Sequence, residues 1–326
     1  MRHLKTVLMC AGLAVMGFLV YRIGAGPIVA SLRQLLWWQF VLVCLPYAVI
    51  LTVDTLGWRF AFARDRTPFL RLVGARLVGE SLNIVTALGS VGGEAAKAWL
   101  ASRDSSYEDS VASVVIAKTT TVIAQTLFLA IGIAIAWITL PFEELTSGML
   151  TMLFIQIVAV GGFLGVQLIG VVGGGGRLLA RVGVTSGASY AGRLDRTLRG
   201  YYWNHRGRLS LSIGFHLIGW ILGVGEALTM LWALGVGPQP LLAFVVEAFG
   251  SGVRFATFFI PGSLGVFEGA NAGAFESLRL GASVGLAFSF LRRGRQVVWI
   301  VIGLVVLAFM RPDTQRAASA TDRAAA

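Results

Sequence analysis

The sequence predicts an all-α polytopic membrane protein, with six transmembrane helices and two re-entrant broken-helix hairpins arranged as an inverted repeat. Three observations carry this reading. Hydrophobic residues make up 56% of the 326 residues and charged ones only 13%, with a mean hydropathy of +0.78, whereas an ordinary globular chain carries roughly 25% charged residues. Six apolar runs are each long enough to cross about 30 Å of hydrocarbon. Two further apolar stretches are interrupted by glycine clusters and hold corresponding places in the two halves. Together these exclude a soluble enzyme, a disulfide scaffold and a disordered tail.

The first span, Thr6 to Gly24, follows the basic start Arg2-His3-Leu4-Lys5. Without a clean small-x-small cleavage site it reads as a signal anchor. The second, Trp37 to Phe62, opens on an aromatic pair suited to the membrane interface. The stretch from Phe69 to Leu100 breaks at Gly89-Ser90-Val91-Gly92-Gly93, and neither piece is long enough to cross alone. A clean span from about Ser110 to Leu140 completes half one, about residues 1–140. Half two, about 148–310, repeats the order with spans Met149 to Val172 and Leu209 to Leu234. A broken segment Leu241 to Leu278 and a last span Ala282 to Phe309 follow. The chain reads as one integral membrane domain over 1–326, with a basic cytoplasmic loop 173–208 and a short cytoplasmic tail 311–326.

The two breaks match locally. Gly89-Ser90-Val91-Gly92 is followed by Glu94, and Gly262-Ser263-Leu264-Gly265 by Glu268. Paired, glycine- or proline-interrupted segments in corresponding positions point to a transporter binding site.

Charge bias sets the topology. If each broken segment returns to the side it entered from, loop arginines and lysines lie almost all inside with both termini. Only Arg22, Arg33 and Arg279 then fall outside. If the segments cross, the arginines of the 173–208 loop move outside, against the positive-inside rule. Three spans per half is an odd number, so the halves run in opposite senses. The net charge of +11 and the pI near 10.6 therefore reflect topology rather than nucleic-acid binding. Around Tyr190, Leu194 and Leu198 an apolar stripe with arginines off it reads as an interfacial helix on anionic lipid, or as a solvated linker. Cys10 and Cys44 fall in apolar spans and read as small hydrophobes.

Charges inside a membrane are expensive unless paired or wetted. This chain places Asp54, Arg76, Glu80, Glu94, Lys97, Lys118, Glu226, Glu247, Arg254, Glu268 and the run Arg292-Arg293-Gly294-Arg295 in apolar segments. A polar cavity between the halves follows. Arg76 and Glu80, four apart, share a helix face, as do Glu247 and Arg254, seven apart. Each pair reads as an internal ion pair or as a wall that meets a headgroup. Helix restarts at about Gly92 and Gly265 would offer free N–H groups to a phosphate, with Arg254 and Lys118 nearby, unless Glu94 and Glu268 cap them. The candidate headgroup cavity comprises Arg76, Glu80, Asn83, Gly92, Glu94, Lys118, Glu247, Arg254, Gly262, Gly265, Glu268, Asn271 and Arg292.

No phosphate-binding Gly-x-x-x-x-Gly-Lys-Ser/Thr loop and no His-Glu-x-x-His motif occur, and the three histidines are scattered. Neither ATP hydrolysis nor a metal or other cofactor is expected. Ser263 with His216 as base makes a poor protease, since Pro261 sits two before the serine.

The run Gly79-Glu80-Ser81-Leu82-Asn83, the Gly92-Gly93-Glu94 step and Pro261-Gly262-Ser263-Leu264-Gly265-Val266-Phe267-Glu268-Gly269 resemble the lysylphosphatidylglycerol synthase transmembrane (flippase-like) family over nearly the whole chain. The resemblance implies an inner-membrane protein that flips or handles lipids. In the two-domain synthases a soluble aminoacyl transferase follows; here only residues 311–326 follow Met310, so lysyl transfer is not expected. Val122-Ile123-Ala124-Gln125 is loosely similar to a branch linked to hopanoid transport, and both branches stay open. The expectation is a non-enzymatic transporter of anionic phospholipid or lipid-linked headgroups, as a single chain, a homodimer or with a partner enzyme. The alternative is a membrane subunit of a lipid-modifying enzyme that works with a separate soluble transferase.

Overall fold

The computed structural model describes residues 2–33, 35–64, 67–85, 90–139, 143–169 and 185–310. The expectations resting on Gly89, the Gly173–Gly176 run, Arg177, Arg181 and the tail from 311 lie outside these. Every regular element among the described residues is helical. The elements are α1 (Arg2–Ile23), α2 (Ala25–Arg33), α3 (Trp37–Cys44), α4 (Pro46–Phe60), α5 (Phe69–Val85), α6 (Ser90–Ala101) and α7 (Tyr107–Thr139). They continue with α8 (Glu143–Ile169), α9 (Thr185–Asn204), α10 (Arg206–Ala233), α11 (Pro240–Ala256), a 3₁₀ turn Pro261–Ser263, α12 (Val266–Ser277) and α13 (Ala282–Met310).

Among the described residues, five stretches are long and apolar enough to cross a membrane: Trp37–Phe60, Tyr107–Thr139, Glu144–Ile169, Arg206–Ala233 and Ala282–Met310. A bent pair makes a sixth if counted as one span. Its helices, α1 and α2, meet at 88° around Gly24, whose φ of +92° turns the chain without the steric cost a side chain would bring. The sequence reading ended the first span at this glycine but did not foresee the second helix.

The central seam is α4 against α10. A Cβ on Gly57 would lie 2.7–2.9 Å from the His216 ring, and one on Gly219 would lie 2.5 Å from Asp54 Oδ1. Residue 54 meets 219 and residue 57 meets 216, so the two helices run antiparallel. The seam is written twice in the sequence, as Asp54-Thr55-Leu56-Gly57-Trp58 and His216-Leu217-Ile218-Gly219-Trp220. Packing about it is reciprocal: α5 lies along α13, and α11 lies along α7.

At 17 and 12 residues, α5 and α6 reach about 26 and 18 Å, too short to span singly. They fold back on each other, because Gly93 lets its helix close on the Gly79 carbonyl and on Asn83. The two ends of the segment meet through the Arg71–Asp104 ion pair. At the same end of the bundle Arg59 lies over the Phe69 ring, Arg103 donates to the Met310 carbonyl at 2.7 Å and Arg208 donates to the Arg59 carbonyl at 2.9 Å. The second broken segment is more open. Here α12 touches α11 at Phe267 and α1 at Leu19, and lies mainly on α13, where Gly285 leaves room for the Asn271 carbonyl.

The stripe on α9 faces the protein. Leu194, Leu198 and Tyr201 are buried in one apolar cluster with Trp58, Phe62, Ala112 and Ile116. The Tyr201 hydroxyl donates to the Phe60 carbonyl at 2.6 Å. This corrects both sequence readings of the segment. Its apolar residues leave water by closing the end of the bundle.

Candidate functional site

Two polar clusters lie within the bundle, one in each half. In the first, Arg76 on α5 is held by Asp54 Oδ2 at 3.0 Å and by Glu80 Oε1 at 2.9 Å. Asp54 Oδ1 also bonds His216 Nδ1 at 3.0 Å, and the Tyr47 hydroxyl donates to Glu80 Oε2. On α6, Lys97 pairs with Glu94 at 3.1 Å. These side chains border a cavity of about 140 Å³ lined by Arg76, Glu80, Asn83, Glu94, Lys97 and Lys118. Lys118 sits about 17 Å along α7 at 1.5 Å per residue. It is exposed to this space, and among the described residues it has no hydrogen-bond or ion-pair partner.

The second cluster is organised by α13. Arg292 grips Glu247 on α11, with Nη1 3.2 Å from Oε1 and Nη2 on Oε2. Arg293 Nε reaches Glu268 Oε1 on α12 at 2.8 Å, and Arg295 Nη2 reaches Glu226 on α10 at 3.0 Å. Three neighbouring arginines thus clamp three helices, each through a carboxylate that would be costly to bury alone. Glu247 takes a second cation, Arg254, at 2.7 Å. The Arg254 guanidinium lies 5.7 Å from the Trp220 ring centroid and 5.5 Å from that of Phe267. Four arginines face three carboxylates here, so the cluster is formally cationic by one.

Arg295 joins the clusters. Its guanidinium stands 4.5 Å from the centre of the Tyr47 ring, and a cavity of about 300 Å³ opens between Tyr47, Glu80, Asn83, Arg295, Gln296 and Trp299. Glu80 and Asn83 line both cavities. The model of the family described as the lysylphosphatidylglycerol synthase TM region matches residues 4–304. The chain belongs to that family. No curated protein and no solved structure matches it. Membership in the lysylphosphatidylglycerol synthase transmembrane family makes this a membrane protein with a lipid-related role, and its polar interior is to be understood in that light.

Within this family member, Arg76, Glu80, Asn83, Glu94 and Lys118 come together in the first cluster, with Gly92 in the first turn of α6. Glu247, Arg254, Arg292 and Glu268 join the second. Gly262, at φ +59°, would place a Cβ 3.5 Å from Arg293 Nη1. Asn271 is spent elsewhere, its amide donating to Ser289 at 2.9 Å. Lys118 and Arg254 belong to different clusters and do not share one anion site.

The restart at Gly265 is internally capped, whereas α6 already begins at Ser90, ahead of the glycine pair. The Gly265 N–H donates to Glu268 Oε2 at 2.7 Å, and the Gly93 N–H donates to Asn83 Oδ1 at 2.9 Å. Glu268 therefore answers the dipole of its own helix, and a phosphate would have to displace it. Glu94 instead faces Lys97. Ser263 receives the Thr257 hydroxyl at 2.7 Å while His216 is bonded to Asp54, so no Ser–His pair forms.

Sequence reasoning left Tyr47, Asp54, Lys97, His216, Glu226, Arg293 and Arg295 out of the site. Five of these were visible as charges in apolar spans. For Asp54 and His216 the usable signal was the repeated x-x-Gly-Trp pattern, which aligns an acid in one half with an imidazole in the other.

Proposed function

We propose that the protein is a transporter of the inner membrane that moves phospholipid or lipid-linked headgroups between leaflets, without ATP hydrolysis and without covalent chemistry. The single observation that carries this reading is Lys118. An ammonium held deep in an apolar helix, open to a cavity and without a hydrogen bond or ion-pair contact among the described residues, costs several kcal/mol unless water or an anion meets it. An anionic headgroup is the ligand that a lipid-related membrane protein would bring there. Its acyl chains would stay in the bilayer while the headgroup crosses the polar interior.

The topology that serves this function has six spans with both termini cytoplasmic, two re-entrant segments and an inverted repeat. It is supported by the Arg71–Asp104 closure of the first segment and by the antiparallel α4–α10 seam with its matching five-residue patterns. The reciprocal packing of α5 on α13 and α11 on α7 supports it too. Inverted repeats with broken helices at their interface are the architecture of alternating access.

Reconstitution into liposomes carrying fluorescent phosphatidylglycerol or phosphatidylcholine tests the reading. Wild-type protein should expose inner-leaflet anionic lipid to a membrane-impermeant quencher. Lys118→Gln should stay folded and slow the anionic lipid by at least about tenfold, the worth of one charge-assisted hydrogen bond. No movement of any lipid class by folded wild-type protein overturns the function; an unchanged rate in Lys118→Gln overturns the site.

A further inference from the structure

Asp54 and His216 form a pair that lines neither headgroup cavity, with the imidazole buried and the carboxylate partly so. Each lies in the space that a glycine on the facing helix leaves empty: Asp54 against Gly219, His216 against Gly57. His216 is fully buried. Its Nδ1 is 3.0 Å from Asp54 Oδ1, so with the carboxylate ionised this nitrogen carries the proton. Its Nε2 is buried without a hydrogen-bond partner, and a Cβ on Gly57 would sit 2.8 Å from it.

The charged groups around the ring are few. Asp54 faces it from α4; Arg76 of α5 holds the other Asp54 oxygen at 3.0 Å, and Lys97 of α6 stands behind. From α7 comes a hydroxyl, Thr120, bonded to Ser212 one turn away at 2.8 Å. On α11, Glu247 lies near Gly223, two turns further on, and Arg254 lies over the Trp220 ring while paired with Glu247; Arg295 of α13 is engaged with Glu226.

A neutral ring fits this seam, since its one N–H has an acceptor. A second proton would turn Nε2 into a donor that faces packed backbone. A buried donor without a partner is penalised, and more so when charged. Proton binding and the closed seam therefore oppose each other: whatever parts α4 from α10 and wets Nε2 favours the proton, and the proton favours parting. We infer that His216, held by Asp54, is a proton-binding site whose occupancy is linked to the opening of the α4–α10 seam. Imidazole is the side chain whose ordinary range makes such a site responsive between pH 5 and 8. That this proton also drives lipid movement rests on the transporter reading; the proton site itself does not.

Two measurements on the full chain in lipid bilayers test this. With His3 and His205 replaced by Gln, His216 is the lone histidine, and its ring ¹⁵N signals can be followed without touching the pair. They should pass from the neutral to the imidazolium pattern between pH 8 and 5; one unchanged protonation state across that range overturns the proposal. In liposomes, the wild-type lipid rate should change at least fivefold over the same range and the His216→Gln rate less than twofold. An equal pH slope in the two proteins overturns the coupling. If wild-type protein moves no lipid at any pH, the transporter reading fails, and the ¹⁵N titration alone supports or sinks the proton site.

Discussion

Arg292 holds both carboxylate oxygens of Glu247 from 45 residues further along the chain. Arg254 touches only one of them, and its side chain is 30% exposed, against 11% for Arg292. The two arginines on one carboxylate are therefore unequal. Arg292 neutralises Glu247, and Arg254 supplies the surplus positive charge between two aromatic rings.

This inequality predicts opposite outcomes for two substitutions. Arg254→Gln leaves Glu247 paired, so thermal unfolding in detergent should shift by less than about 1 kcal/mol equivalent. Arg292→Met removes the bidentate partner from a carboxylate out of contact with water and should cost about 3 kcal/mol. On the proposed transport function, Arg254→Gln should slow anionic lipid more than neutral lipid, with Arg254→Lys recovering part of the rate. Equal unfolding midpoints for the two variants would refute the assignment.

The central seam predicts a glycine pattern. Gly57→Ala and Gly219→Ala each drive a methyl into the facing side chain and should cost about 1–3 kcal/mol. Gly225 lies on the same helix as Gly219, and its added Cβ would meet nothing within 4 Å. Gly225→Ala should be neutral, or stabilising by up to about 1 kcal/mol through helix propensity. Comparing the three unfolding midpoints checks it; a Gly219→Ala protein as stable as wild type would mean that α4 and α10 do not close as described.

The fold-back of α5 on α6 predicts that Gly93→Ala is among the most damaging single methyl additions in the chain. The new atom would overlap the Gly79 carbonyl and the Asn83 side chain, and a backbone carbonyl cannot swing aside. Gly161 on α8, with open space where its Cβ would go, is the control and should tolerate alanine. Expression level and monodispersity in detergent report both.

Glu268 predicts a gain as well as a loss. Glu268→Ala removes the acceptor of the Gly265 N–H and the carboxylate partner of Arg293 together, leaving a helix N-terminus beside a guanidinium that keeps its hydrogen bond to Gln296. The variant should be less stable than Glu268→Gln, which keeps an acceptor for the N–H, by about 1 kcal/mol. Millimolar phosphate should then raise the unfolding midpoint of Glu268→Ala and leave wild type unmoved. Equal phosphate responses would show that the carboxylate does not occupy the anion position.

Much of this was legible in one dimension, because the bilayer imposes long-range order on local composition. Apolar runs of fixed length, arginines gathered in certain loops and glycines interrupting two segments report directly on solvent. They marked the apolar stretches, the two glycine interruptions and the charges set among them. The Arg76–Glu80 and Glu247–Arg254 pairs were also readable, since helix geometry brings residues four or seven apart onto one face. The partners across helices were not. Nothing in the order of residues says that Arg292, Arg293 and Arg295 go to Glu247, Glu268 and Glu226, or that Arg295 lies on the Tyr47 ring. Those choices follow from which glycines let which helices approach, a property of three-dimensional packing. The same holds for the glycine breaks: sequence marks restarts at about Gly92 and Gly265 as open to an anion unless Glu94 and Glu268 cap them, and only the folded chain puts Glu268 on the Gly265 N–H, and Asn83 rather than Glu94 on the Gly93 N–H. His216 is the sharpest case. Along the chain it is an isolated histidine in an apolar run, and it acquires a carboxylate partner only because Gly57 and Asp54 stand opposite it on an antiparallel helix.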